Sequence, residues 1–162
     1  MKKLSIFIAV LIIALGAQAS FAQEGKELVF KTKQALETAP AAKETEKMEK
    51  AALIWIIETD QVTVGMCTGV FVLFVDKKNK NSDDMTSAYM IGMAAFKLEN
   101  PAKASDEMAA QLAGVELSLK VYEAYVKEKP KTKHDGIEAL LVKRDNGELA
   151  VLVNGIDCGK RP

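Results

Sequence analysis

Few side chains in this 162-residue chain are equipped for chemistry. The two cysteines, Cys67 and Cys158, lie far apart. A metal-binding or reactive thiol pair wants close Cys-x-x-Cys spacing or companion histidines, and neither accompanies them. The single histidine, His134, sits between Lys133 and Asp135 in a polar stretch. Alone it cannot make a multi-ligand zinc site, and no His-Glu-x-x-His spacing occurs. A Ser-His-Asp arrangement is assembled in space, so spacing does not decide it, but there is no Gly-x-Ser-x-Gly nucleophile elbow. The Asn- and Asp-rich residues 76–84 invite a calcium reading, which the register rejects. Counting from Asp76, positions three and five are Lys78 and Lys80, and Asn81 stands where the loop needs glycine. Gly65, Gly69, Gly92 and Gly114 occur singly, as packing positions and not as a phosphate loop. Paired acids are abundant, but they fall on solvent faces. The expectation is therefore no catalytic residue, no cofactor and no metal.

The start of the chain supplies an address. Lys2 and Lys3 precede an apolar run over residues 4–15, which ends in Ala17-Gln18-Ala19-Ser20-Phe21-Ala22. The run falls short of the roughly 20 residues of a bilayer span, and Ser20-x-Ala22 places small side chains where signal peptidase needs them. Residues 1–22 are predicted to be a cleaved signal peptide, with the cut after Ala22, release into the periplasm and no membrane insertion afterwards. Cleavage leaves 20 basic and 22 acidic side chains, a formal charge of −2 over 140 residues. That near-neutral balance carries no footprint for nucleic acid. In an oxidising compartment the remaining two cysteines should pair as a Cys67–Cys158 disulfide. Closing a loop of about 90 residues contributes roughly 4–5 kcal/mol in the chain-entropy model.

The elements that position these residues read mostly as helix. Residues 23–44 form an N-terminal segment and linker, with a short helix over 25–36 interrupted at Pro40. The domain proper spans 45–162. Residues 43–57 read as a helix apolar on every side from Ala51 to Ile57, which should lie inside the domain. Residues 62–75 mix strand-favouring valines and threonines with a helical face of Met66, Val70 and Leu73, and helix is favoured. Ser82 can cap the next helix, whose stripe is Met85, Tyr89, Gly92 and Phe96, and three methionines here (Met85, Met90, Met93) are read as core filling. From 105 to 127, Met108, Leu112, Val115, Leu119, Tyr122 and Val126 repeat at helical spacing, with Glu116–Lys120 and Glu123–Lys127 as solvent-facing pairs. The tail, 137–153, reads equally as helix or as a β-hairpin turning at Asp145-Asn146-Gly147. The fold class is all-α, a small helical bundle with one disulfide.

Two segments carry a resemblance. Gly65-Met66-Cys67-Thr68-Gly69-Val70-Phe71-Val72-Leu73-Phe74-Val75-Asp76 resembles the Cys-x-Gly-aromatic helix of the Rap/Tai-type family, periplasmic helical proteins that include immunity proteins against type VI-delivered peptidoglycan amidases. Gln111-Leu112, Val121-Tyr122-Glu123-Ala124-Tyr125 and His134 are similar to that family's long helix and its His-Pro-like stop, and Cys158 sits where its last helix ends in cysteine. The second cysteine pair of many members is absent. The resemblance implies an all-helical domain without catalysis that binds another envelope protein, a cell-wall amidase in the immunity role. Loops 77–84 and 100–104 are the expected contacts. A general envelope-stress or structural factor is the competing class, an enzyme the third, and the sequence leaves a homodimer open.

Overall fold

The computed structural model describes residues 23–158. The predicted signal peptide and its cut after Ala22 lie outside them. The described residues hold seven α-helices and no strand: α1 over residues 23–38, α2 Lys43–Glu58, α3 Thr68–Phe71, α4 Ser82–Glu99, α5 Glu107–Glu128, α6 Asp135–Asp145 and α7 Leu149–Asn154. Short 3-10 turns, Pro101–Lys103 and Pro130–Thr132, follow α4 and α5.

The centre is the antiparallel pair α4 and α5. Its order is visible in three contacts along the helices: Lys97 reaches Glu107, Gly92 meets Gly114, and the Ser118 hydroxyl donates to the Met85 carbonyl at 2.7 Å. At the crossing the backbones touch. A Cβ on Gly92 would lie 2.9 Å from the Ala113 carbonyl oxygen and from Gly114 Cα, and a Cβ on Gly114 would lie 2.6 Å from the Tyr89 carbonyl oxygen. Any side chain at either position would force the helices apart.

This pair is apolar on two sides and divides the domain into three layers. On one side Met85, Tyr89, Val115, Leu119 and Tyr122 pack under α3, α6 and α7, which contribute Val70, Ile137, Leu140, Leu149 and Val153. On the other, Ala88, Ile91, Ala95, Leu117 and Val121 receive α1 and α2 through Val29, Leu36, Ala52, Trp55 and Ile56. The sequence stripe marks the first side. The second is built of smaller residues and escapes it. Met85 and Met93 are fully buried, as core filling requires, whereas Met90 is only half-buried and joins neither core cluster.

Several sequence expectations are corrected. The tail contains no hairpin: Ile137 and Leu140 on α6, and Leu149 and Val153 on α7, are buried at helical spacing. Asp145-Asn146-Gly147 turns helix into helix, with Gly147 at φ 74° in the left-handed region that favours glycine. In 62–75 only Thr68–Phe71 is helical, preceded by an irregular stretch. Ser82 is the first residue of α4 and not its cap, a position held by Asn81. Lys120 pairs with Glu37 of α1 at 2.8 Å, and Glu123 takes a bidentate hold on Arg144 at 2.6 and 2.9 Å, in place of the two intrahelical pairs. Finally, α2 is not interior. Ile54 and Ile57 are 56% and 72% exposed.

Gly114→Ala is expected to lower stability by about 1–3 kcal/mol through overpacking at the crossing, read as a lower urea midpoint. The double substitution Cys67→Ser with Cys158→Ser should cost about 2–5 kcal/mol in the same measurement, and reductant should reproduce it on the native chain.

Candidate functional site

The cysteines that could have been reactive are joined. Cys67 and Cys158 form a disulfide with S–S 2.01 Å and Cα–Cα 4.8 Å, across 91 residues of chain. Ile156 lies over Gly69, where a Cβ would collide with its Cγ2 and approach the Asp157 carbonyl oxygen at 3.0 Å. The glycine beside Cys67 thus makes the seat on which the tail lies.

His134 is committed to structure in the same way. Its Nε2 is 3.1 Å from Asp76 Oδ2, tying the start of α6 to the loop before α4, and its buried Nδ1 has no hydrogen-bond partner among the described residues. Its backbone N–H donates to the Tyr122 hydroxyl at 2.8 Å, and that hydroxyl donates to Glu138 Oε1 at 2.8 Å. Tyr122 therefore caps α6 from within the core, and burial pushes its phenol up to about 12. A general base needs a ring nitrogen that can reach a substrate proton, with a nucleophile in hydrogen-bond range. Here one nitrogen is held by a carboxylate and the other is sealed. The loop 76–81 is likewise folded around a buried side chain: Asn79 Nδ2 donates to the Phe74 carbonyl at 2.9 Å, and its Oδ1 accepts from Asn81 N–H. Among the described residues no group of three or more His, Cys, Asp and Glu is placed to hold a metal ion.

Two buried polar side chains that sequence reasoning missed anchor the irregular segment before Cys67. Lys97 Nζ donates to the Thr63 carbonyl at 2.8 Å and to Glu107 Oε1 at 2.7 Å, and Gln111 Nε2 donates to the Gly65 carbonyl at 2.8 Å. A segment without strand partners needs its covered carbonyls satisfied, and these side chains supply the donors. The signal was a lysine at the end of an unbroken apolar turn, Met93-Ala94-Ala95-Phe96-Lys97.

Two surface features remain. A groove of about 440 Å³ between α2, α4 and α5 is lined by Glu46, Glu49, Asp83, Asp84, Ser87 and Tyr125. Burial raises the carboxyl pKa of both Glu49 and Asp84, against the opposing hydrogen bonds from Ser87 and Tyr125, and neighbouring carboxylates add to the rise. Burial, with the Asp84 carboxylate opposite, pushes the Tyr125 phenol up as well. The second feature is apolar. A hollow of about 340 Å³ between α1 and α2 is lined by Leu28, Ala51, Ile54 and Trp55, with Glu24 and Glu58 at its rim, and Ile57 stands exposed one turn beyond Ile54. Gly25 makes the two helices close here, since a Cβ on it would run into the Trp55 indole. The loops 77–84 and 100–104 lie at opposite ends of α4, about 27 Å apart at 1.5 Å per residue. Compared with protein-family models, curated proteins and solved structures, the chain matches none.

The raised carboxyl of Glu49 gives a pH dependence with a definite sign. The folded state holds its proton more tightly than the unfolded chain. The stabilisation is complete below the unfolded value of about 4.3 and is lost as pH rises through the raised folded value. Glu49→Gln, which keeps the hydrogen-bonding partner for Ser87, should therefore have a higher urea midpoint than wild type at pH 7. The two midpoints should converge near pH 4.

Proposed function

We propose that the chain is exported by cleavage after Ala22 and acts in the periplasm by binding another envelope protein stoichiometrically, without catalysis, a cell-wall amidase being the leading partner. The observation that carries the binding reading is the uncovered apolar strip of α2, Ile54 and Ile57, beside the Leu28–Trp55 hollow. Ile54 and Ile57 sit at the i, i+3 spacing of helical anchors and adjoin the apolar hollow, which sets them apart from the exposed Val142 and Val151. Glu58 and Asp60 border the strip, which suits a partner whose apolar contact is flanked by basic residues. The amidase as partner class comes from the resemblance of 65–76 and 111–134 to the Rap/Tai-type family. Support for a non-catalytic role comes from His134 and both cysteines being engaged in structural bonds. Occluding an enzyme cleft requires a folded surface with a few well-placed anchors, which the three-layer scaffold can present.

Capture of interacting proteins from envelope extract by the mature chain, followed by quantitative binding, tests the reading. Ile57→Asp is expected to weaken the complex at least tenfold, about 1.4 kcal/mol, with the melting temperature unchanged because the side chain is exposed. Survival of a deletion strain while the amidase is produced tests the immunity role. A monomer that recovers no stable partner, in a strain whose survival is unchanged, would favour the envelope-stress or structural role. A concentration-dependent dimer abolished by Ile57→Asp would assign the strip to a second copy of this chain.

A further inference from the structure

Cleavage after Ala22, as proposed above for export, makes Gln23 the first residue of the mature chain. Resting on that cleavage, we propose that Gln23 is a modification site, at which the new terminus closes on its own side chain to a pyroglutamyl group. The neutral amino nitrogen attacks the side-chain carbonyl carbon Cδ. A bond forms between that nitrogen and Cδ, the bond from Cδ to Nε2 breaks, and Nε2 leaves as ammonia with one proton from the amine. Nothing is oxidised or reduced and no second reactant is consumed.

The structure favours each requirement of this step. Gln23 lies in α1 and is exposed, and its carboxamide makes one contact, at 3.5 Å to Glu27 Oε1, at the outer limit of a hydrogen bond. The side chain is thus free to rotate onto its own amine. The first N–H groups of a helix have no carbonyl partner, so the attacking nitrogen is not engaged in the helical ladder. An amine of ordinary pKa about 7.7–8.0 keeps a neutral fraction for the attack near pH 7; the positive end of α1 disfavours its ammonium form, while the Glu24 and Glu27 carboxylates favour it. Closing the ring removes that charge from the helix start. The ring forms within residue 23 and leaves the rest of the turn in place, because Gly25, two residues on, is seated against the Trp55 indole. The product is a neutral lactam at the helix N-terminus, with no free amine for an aminopeptidase to grip.

The test is N-terminal peptide mapping of native protein from the periplasmic fraction, with amine labelling before digestion, beside a Gln23→Ala chain. The expected N-terminal peptide begins at residue 23, weighs one ammonia less than its sequence and takes no label, whereas the Gln23→Ala peptide keeps its full mass and is labelled. A labelled peptide that begins at an intact Gln23 overturns the modification and leaves the cleavage standing. A peptide that begins anywhere else overturns the cleavage and the modification with it.

Discussion

The fold depends on one contact, the meeting of Gly92 and Gly114 where α4 crosses α5. Helices with ordinary side chains at their contact stay about 8–10 Å apart. Here a Cβ on either glycine would lie within 2.9 Å of the opposite backbone, so the two axes approach further than side chains would allow. The closeness has polar consequences. Ser118 can reach across to the Met85 carbonyl as well as back to that of Gly114, a bridge between helices inside a dry core. Its aromatic consequence is that Tyr89 lies over Gly114 and tilts against Phe74, with ring centroids 5.7 Å apart.

The two coverings are secured differently. On the C-terminal side a covalent bond joins Cys158 to the start of α3, Arg144 grips Glu123, Tyr122 caps α6, and His134 meets Asp76. The disulfide and the His134–Asp76 contact join elements remote in sequence, and the other two join the successive helices α5 and α6. On the N-terminal side the α1–α2 hairpin rests on its apolar contacts and two ion pairs, Lys33–Glu99 and Lys120–Glu37, whose carboxylates are 42% and 30% exposed. Pairs so open to water contribute little, and Arg144–Glu123, whose carboxylate is 44% exposed, is no different, so the covalent bond is what sets the C-terminal side apart. Beside them, Glu49 and Asp84 are carboxyls whose burial disfavours their charge.

Helices were legible in the sequence wherever the apolar spacing was regular, most clearly from Met108 to Val126. The disulfide was legible because no third cysteine competes for Cys67 or Cys158. What stayed hidden has a common cause: local chemistry that serves more than one geometry. Asp145-Asn146-Gly147 suits a hairpin turn, but its glycine, with φ 74°, ends a helix equally well, and the burial of Leu149 and Val153 one turn apart decides between them. The valines and threonines of 62–75 favour strand, yet no strand lies beside them among the described residues. Their carbonyls are taken instead by Lys97 and Gln111, from helices 30 to 50 positions away. Ion pairing failed for a related reason, since Lys120 had an intrahelical neighbour available and found Glu37 on another layer. The candidate contact surface was hidden as well. An all-apolar turn in α2 reads as interior, and only the three-layer arrangement reveals that its outer face is uncovered among the described residues.

That uncovered face and the unequal coverings bear on each other. Binding surfaces tend to lie where local stability is lowest, because adjustment to a partner there disturbs least of the remaining structure. The C-terminal layer, closed by a disulfide and by side chains that satisfy buried backbone groups, has little freedom to adjust. The α1–α2 hairpin has more, and it leaves Ile54 and Ile57 in water, as α6 and α7 leave Val142 and Val151. A partner covering that strip would bury apolar surface at about 25 cal/mol per Å² and add contacts to the layer that has fewest long-range bonds of its own. It would do so without disturbing the Gly92–Gly114 crossing, since α2 meets α4 through its opposite face, by way of Ala52 and Ile56. The two halves are therefore held differently, one closed by a disulfide and the other by apolar contacts and open ion pairs.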